Sequence, residues 1–181
     1  MAAKWSVEGG SAVCEFLPKL MRLEDYDGAV EVYLEALYEQ FRQDFVLARP
    51  IFNGKRLGLK RHPLIEGREA TFWHLISTGS EEAERVPDLR RCERLAWVKV
   101  MIERWPDEQI LAWRENRGRK GTQILLWCEQ AAYLVVLEDR GDYILPWTAY
   151  YVEHEHQRKK YRKRYEEALK AGTALNTGAA L

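Results

Sequence analysis

The chain changes its hydrophobic period once, near residue 109, and this change constrains the fold more than any other feature. Upstream of it, apolar residues recur at three- and four-residue spacing. Downstream, they alternate with polar ones over short runs. Residues 109–115, 122–129, 133–138 and 143–152 read as four strands. The connections at 116–121, 130–131 and 139–142 are short enough to join only antiparallel neighbours. Pro146 has no N–H to give to a ladder, so the last strand is expected to be an edge or to carry a bulge there.

Before the switch, Val30, Tyr33, Leu34, Leu37, Phe41 and Phe45 fall on one face of a helix that Asp25 or Asp27 can cap and that Pro50 must end. Asn53-Gly54 is a turn pair, and residues 56–61 alternate as a short strand. Periodicity leaves residues 69–76 open between strand and helical turn, and 77–87 reads as an acidic loop. A second helix is expected over 88–103, with Leu89, Cys92, Ala96 and Val100 on one face. A third, over 155–170, stacks Tyr161, Tyr165 and Leu169. The expected fold is therefore α+β: a four-stranded antiparallel β-meander packed with N-terminal, middle and C-terminal helices. It forms one domain over 23–170, with a poorly ordered lead-in at 1–22 and a flexible tail at 171–181.

A chain of 181 residues, 46% hydrophobic and 12% aromatic, can bury a sizeable core and is not of the disordered class. No apolar run approaches the roughly 20 residues of a membrane span, and Glu8 and Glu15 interrupt any secretion-signal core. Cys14, Cys92 and Cys128 are odd in number and far apart in sequence, which points to free thiols in a reducing cytoplasm. Lys and Arg number 28, as do Asp and Glu, so the chain is neutral and is not a globally basic coating protein. The signs are segregated, however. Basic residues gather at 55–68, 114–120 and 158–164 and acidic ones at 24–39 and 81–84, as in an enzyme with a basic cleft. Seven Trp and nine Tyr supply rings for stacking on a ligand.

The densest group of chemically versatile residues is Lys60, Arg61 and His62, followed by Trp73 and His74. Cleavage of RNA by transesterification needs a base for the 2′-hydroxyl, an acid for the leaving oxygen and cations for the developing phosphorane charge. Histidine titrates near neutrality and can serve as either base or acid. The plainer alternatives are that His62 is an exposed turn residue and His74 a satisfied core histidine. On a final strand, Thr148 and Tyr150 share one face and could hold a phosphate and a base, although both are also ordinary strand formers. Arg94 on the second helix, and Arg117 and Lys120 in a turn, could contact phosphate. His154 and His156 lack a third ligand at metal-site spacing, so no metal or other cofactor is expected. The basic run from Arg158 to Arg164 is either a solvated helix face or a surface for nucleic acid or an acidic protein.

A helix, a basic His-containing segment, a second helix and a meander ending in Tyr-x-Leu-x-x-Thr-Ala-Tyr follow one another, and the stretch over about residues 52–152 carries a family resemblance. In this order of parts the chain resembles the barnase, EndoU, colicin and RelE group of ribonucleases. The resemblance implies metal-independent RNA cleavage by a cytoplasmic bacterial or phage toxin, restrained by an antitoxin or immunity protein. It further implies catalytic roles for His74, His62, Lys60, Arg61, Thr148 and Tyr150, and substrate contacts from Arg94, Arg117, Lys120 and Trp73. The competing reading is a non-catalytic phage or mobile-element adaptor that binds protein or nucleic acid through its basic C-terminal helix.

Overall fold

A computed structural model describes residues 14–79, 81 and 84–175, with Lys120 described by its backbone alone. The first helix, α1 (Val30–Phe41), buries Tyr33, Leu37 and Phe41, one residue per turn, and runs on through a wider π-type turn at Arg42–Leu47. Neither candidate aspartate caps it. Asp25 instead accepts a hydrogen bond from the Arg22 backbone N–H (3.1 Å) in the preceding 3-10 turn, and Asp27 ends that turn in the left-handed region. Residues 14–22 belong to the folded body, contrary to expectation: Cys14 and Leu17 are buried, and the Trp97 indole N–H donates to the Pro18 carbonyl (2.8 Å). The rest of the expected lead-in, 1–13, lies outside the described residues.

Strands β1 (Ile51–Phe52) and β2 (Lys55–Leu57) form a hairpin about Asn53-Gly54, both with positive φ as such a turn requires. Helix α2 (Ala70–Ile76) settles the ambiguous segment, and every one of its residues is buried. In the expected acidic loop, β3 (Ser77–Thr78) and β4 (Val86–Pro87) pair antiparallel. The middle helix is divided into α3 (Leu89–Glu93) and α4 (Leu95–Arg104), because Arg94 leaves helical geometry at φ −107°, ψ 12°. The Asp88 carboxylate caps α3 by accepting from the Arg91 backbone N–H (3.0 Å).

The meander is present as β5 (Leu111–Asn116), β6 (Thr122–Cys128), β7 (Tyr133–Asp139) and β8 (Tyr143–Tyr151). It is not the whole sheet. The order is β1-β2-β8-β7-β6-β5, and β2 joins β8 in parallel through Arg56↔Tyr143 and Leu57↔Ile144. The four-stranded sheet expected from the sequence is thus corrected to a six-stranded mixed one. Strands of two and three residues are too short to display a period, so the hairpin's place in the sheet has no local signal. The register shifts between Val136 and Leu137, which face Thr148 and Pro146 respectively. Trp147 is left without an opposite residue, so the bulge falls beside the proline.

Both faces of the sheet are covered. Ile124, Leu126, Tyr133, Val135 and Leu137 face the core shared with α1, α2 and α4. Their sequence neighbours Leu125, Trp127, Leu134 and Val136 face α5 (Glu155–Ala171). Tyr161 lies over Trp127 (ring centroids 5.3 Å apart) and Tyr165 over Trp113 (6.0 Å). Arg164 binds Glu115 through two nitrogens (2.8 and 2.5 Å), and Arg162 pairs with Glu129. After α5, the Leu175 N–H reaches the Ala112 carbonyl (2.8 Å), so the start of the expected tail docks on β5. Residues 176–181 lie outside the described set. Among the described residues no helix is long and apolar enough to cross a membrane.

Candidate functional site

The residues singled out from the sequence are distributed over several environments. His62 and Arg61 are exposed, whereas His74 is 3% exposed with its ring edge-on to Trp147 at 4.8 Å. The two imidazoles therefore do not open together onto one solvent-filled groove. Lys60 is tied by its backbone to Thr71, whose hydroxyl accepts from the Lys60 N–H (2.7 Å) and whose own N–H donates to the Lys60 carbonyl (3.0 Å). Trp73 is buried and gives its indole N–H to the Ile65 carbonyl (3.0 Å). Arg117 is half exposed and 3.8 Å from Glu115, and the Lys120 side chain lies outside the described set.

Thr148 and Tyr150 do share a face of β8. There Arg91 donates to the Thr148 hydroxyl (2.8 Å) and sits 5.2 Å from the Tyr150 ring centroid. The Tyr150 and Tyr161 hydroxyls are bonded at 2.7 Å, and Arg164 lies over the Tyr161 ring at 5.1 Å. Among the described residues no carboxylate stands within ion-pair distance of the Arg91 guanidinium, and burial lowers its pKa from the ordinary arginine range. Burial, reinforced by the bond to Tyr161, pushes the Tyr150 phenol up, so at neutral pH it is a neutral hydroxyl.

A second group surrounds a different residue. The Tyr151 ring has three guanidinium carbons within reach of its centroid: Arg94 at 4.7 Å, Arg158 at 5.6 Å and Arg90 at 6.0 Å. Arg158 also donates to the Tyr151 hydroxyl (2.9 Å) and to the Val152 carbonyl (2.8 Å). Arg90 is paired with Glu153 (2.5 Å) and Arg94 with Glu93 (3.0 Å). The buried Nε of Arg94 has no hydrogen-bond partner among the described residues.

Tyr151 and Arg94 line a cleft of about 770 Å³, to which Trp97, Lys19, Arg22 and Asp25 also contribute. Four segments distant in sequence build it: the stretch before α1, the first turn of α4, the β6–β7 turn at Gln130 and Ala131, and the end of β8. Arg94 stands at the gap between α3 and α4, with its guanidinium over the Tyr151 ring. The sequence points to Arg94 as a phosphate ligand but gives no sign of Tyr151 or Trp97. It gives none of Lys19 and Arg22 either, which fall in the expected lead-in. Only tertiary packing gathers them, and no spacing in the sequence signals it.

Among the described residues no group of three or more His, Cys, Asp or Glu could hold a metal ion. His154 and His156 stack on one another at 5.5 Å. Comparison with protein-family models, with curated proteins and with solved structures gave no match.

Proposed function

We propose that the chain binds single-stranded RNA at the cleft around Tyr151. The observation that carries this reading is the gathering of Arg90, Arg94 and Arg158 about one half-buried aromatic ring, beside a cleft that adds Lys19, Arg22 and Trp97. Guanidinium forks match phosphate oxygens, and rings accept bases by stacking without regard to sequence. The exposed Lys159, Lys160 and Lys163 on α5 extend the positive charge away from the cleft. Duplex RNA fits less well, because its bases are already stacked and cannot splay onto Tyr151. Fluorescence anisotropy with a labelled single strand of about 12 nucleotides tests the reading. Salt-sensitive binding that a duplex of the same sequence does not match is expected. Binding absent at low salt would end it.

A second reading keeps the expected metal-independent endoribonuclease, with a toxin's antitoxin as partner. It is favoured by one pair of neighbouring interactions: His74 touches Trp147 while Arg91 holds the adjacent Thr148. Here Arg91, rather than Arg94 or Arg117, is the phosphate cation, and the general acid or base is His74 once α2 shifts to uncover it. Cleavage of bulk RNA in EDTA, abolished in His74→Ala and in Arg91→Ala, is the expected result. Intact RNA after prolonged incubation would remove the enzyme and leave the binder.

A further inference from the structure

Cys14 and Cys128 are 114 residues apart in sequence, yet their Sγ atoms are 2.8 Å from one another, closer than non-bonded sulfur atoms ordinarily rest. Both are buried, at 3% and 0% exposure, and Cys14 Sγ also lies 3.4 Å from Gln130 Oε1. Cys92 takes no part, since its thiol is directed at the Ile76 carbonyl (3.7 Å). The third cysteine therefore offers a built-in control.

We infer that Cys14 and Cys128 are a modification site, joined as an intramolecular disulfide when the protein meets a hydroperoxide. The inference goes beyond RNA binding and does not depend on it. Cys128 ends β6, where its pairing with Tyr133 fixes the backbone. Cys14 begins the segment that carries Leu17, Lys19 and Arg22, one wall of the cleft, while Gln130 and Ala131, just past Cys128, form the facing wall. That first wall is held by few bonds. Met21 donates its N–H to the Glu93 carbonyl (3.0 Å), Trp97 donates to Pro18 (2.8 Å) and the Tyr33 hydroxyl donates to Met21 (2.6 Å). A covalent link at its foot fastens it to the sheet.

The chemistry balances with the hydroperoxide as the two-electron oxidant. The Cys128 thiolate attacks the peroxide oxygen, forming a sulfenic acid and releasing the alcohol, or water from hydrogen peroxide. The Cys14 sulfur then attacks the Cys128 sulfur, the S–S bond forms, and the sulfenic oxygen departs as water with the Cys14 proton. The hydrogen bond between the two thiols lowers the Cys128 pKa and raises that of Cys14, which is consistent with Cys128 as the attacking sulfur. Gln130 lines the cleft and touches Cys14, so the pair lies directly behind the cleft wall.

The test treats the full chain with hydrogen peroxide, removes it with catalase, alkylates under denaturing conditions and maps peptides without reduction. Expected is a single linked pair containing Cys14 and Cys128, two hydrogens lighter than the separate peptides, reversed by dithiothreitol, with Cys92 alkylated. Cys14→Ser and Cys128→Ser each abolish the link, and Cys92→Ser leaves its yield unchanged. Hydrogen exchange at 17–22 should slow at least tenfold in the oxidised chain. Three alkylatable thiols after peroxide, a link that includes Cys92 or joins two chains, or unchanged exchange at 17–22 would each overturn the inference. The wild-type peptide map decides the matter even where a serine variant fails to fold.

Discussion

The Arg94 guanidinium carbon lies 4.7 Å from the centroid of the Tyr151 ring and 5.2 Å from that of Trp97, so one cation bridges the start of α4 and the end of β8. If a base stacks at this point, Tyr151→Ala weakens single-strand RNA binding about tenfold, in line with the roughly 1–3 kcal/mol that a stacking ring contributes. Tyr151→Phe keeps the ring and gives up only the hydrogen bond from Arg158 (2.9 Å), so it should retain most of the affinity. Anisotropy titrations separate the two. An equal loss in both variants would assign the effect to the hydroxyl and not to stacking.

Phosphate binding carries a different signature. Lys19 and Arg22 line the cleft, whereas Lys170 stands exposed in the last turn of α5. Replacing Lys19 or Arg22 by Ala should reduce the slope of log affinity against log salt by about 0.7 for each phosphate that is no longer neutralised. Lys170→Ala should leave the slope as it is. Slopes measured between low and moderate salt check this, and a uniform response of all three variants would place the ligand elsewhere.

The meander was legible because each of its strands runs six residues or more and most of its turns carry Gly, Asn or Asp, so period and punctuation agree. The bulge at Trp147 was legible because Pro146 cannot donate. The β1–β2 hairpin showed its turn, Asn53-Gly54, but not its parallel partner, since parallel pairing joins residues 56 and 143 with nothing local to announce it. His74 was singled out because imidazole titrates near neutrality, but its burial was not legible. It belongs to a helix whose seven residues are all inside, and such a helix has no polar face to betray its orientation. Arg94 was visible on the second helix, while the Tyr151 cluster needed residues from three elements that only the tertiary fold brings together.

The ion pair that seats α5 gives a stability prediction. Glu115 accepts from Arg164 (2.8 and 2.5 Å) and from the Trp113 indole (2.8 Å). Burial alone would raise the Glu115 pKa, but the bonds from Arg164 and Trp113 outweigh it and hold the carboxyl below its ordinary value. With the folded value depressed, the stabilisation is present above the unfolded pKa and is lost as pH falls through the folded one. Glu115→Gln should cost about 2 kcal/mol at pH 7, because a partly buried guanidinium loses its counter-charge. Urea unfolding of the variant should also show a weaker acid dependence than that of the parent. A variant as stable as the parent at pH 7 would mean that the Glu115–Arg164 pair adds nothing to the seating of α5.

Asp44 should act in the opposite direction. Its carboxyl is 7% exposed, and burial raises its pKa despite the bond from the Gln40 amide (2.9 Å) and the nearby charge of Lys99. Because the folded value is raised, the folded state favours the protonated acid. The contribution of Asp44 is fully favourable below its unfolded pKa and turns into a cost as pH climbs through the folded one. At neutral pH the ionised group therefore opposes folding, and Asp44→Asn should raise the urea midpoint at pH 7, since an amide fills the same space and can still accept from Gln40. The gain should shrink as the pH is lowered into the carboxylate range, where the parent's own proton does the same work. A gain of equal size at pH 7 and at about pH 3, below the ordinary carboxylate pKa, would show that packing, and not ionisation, separates the two proteins.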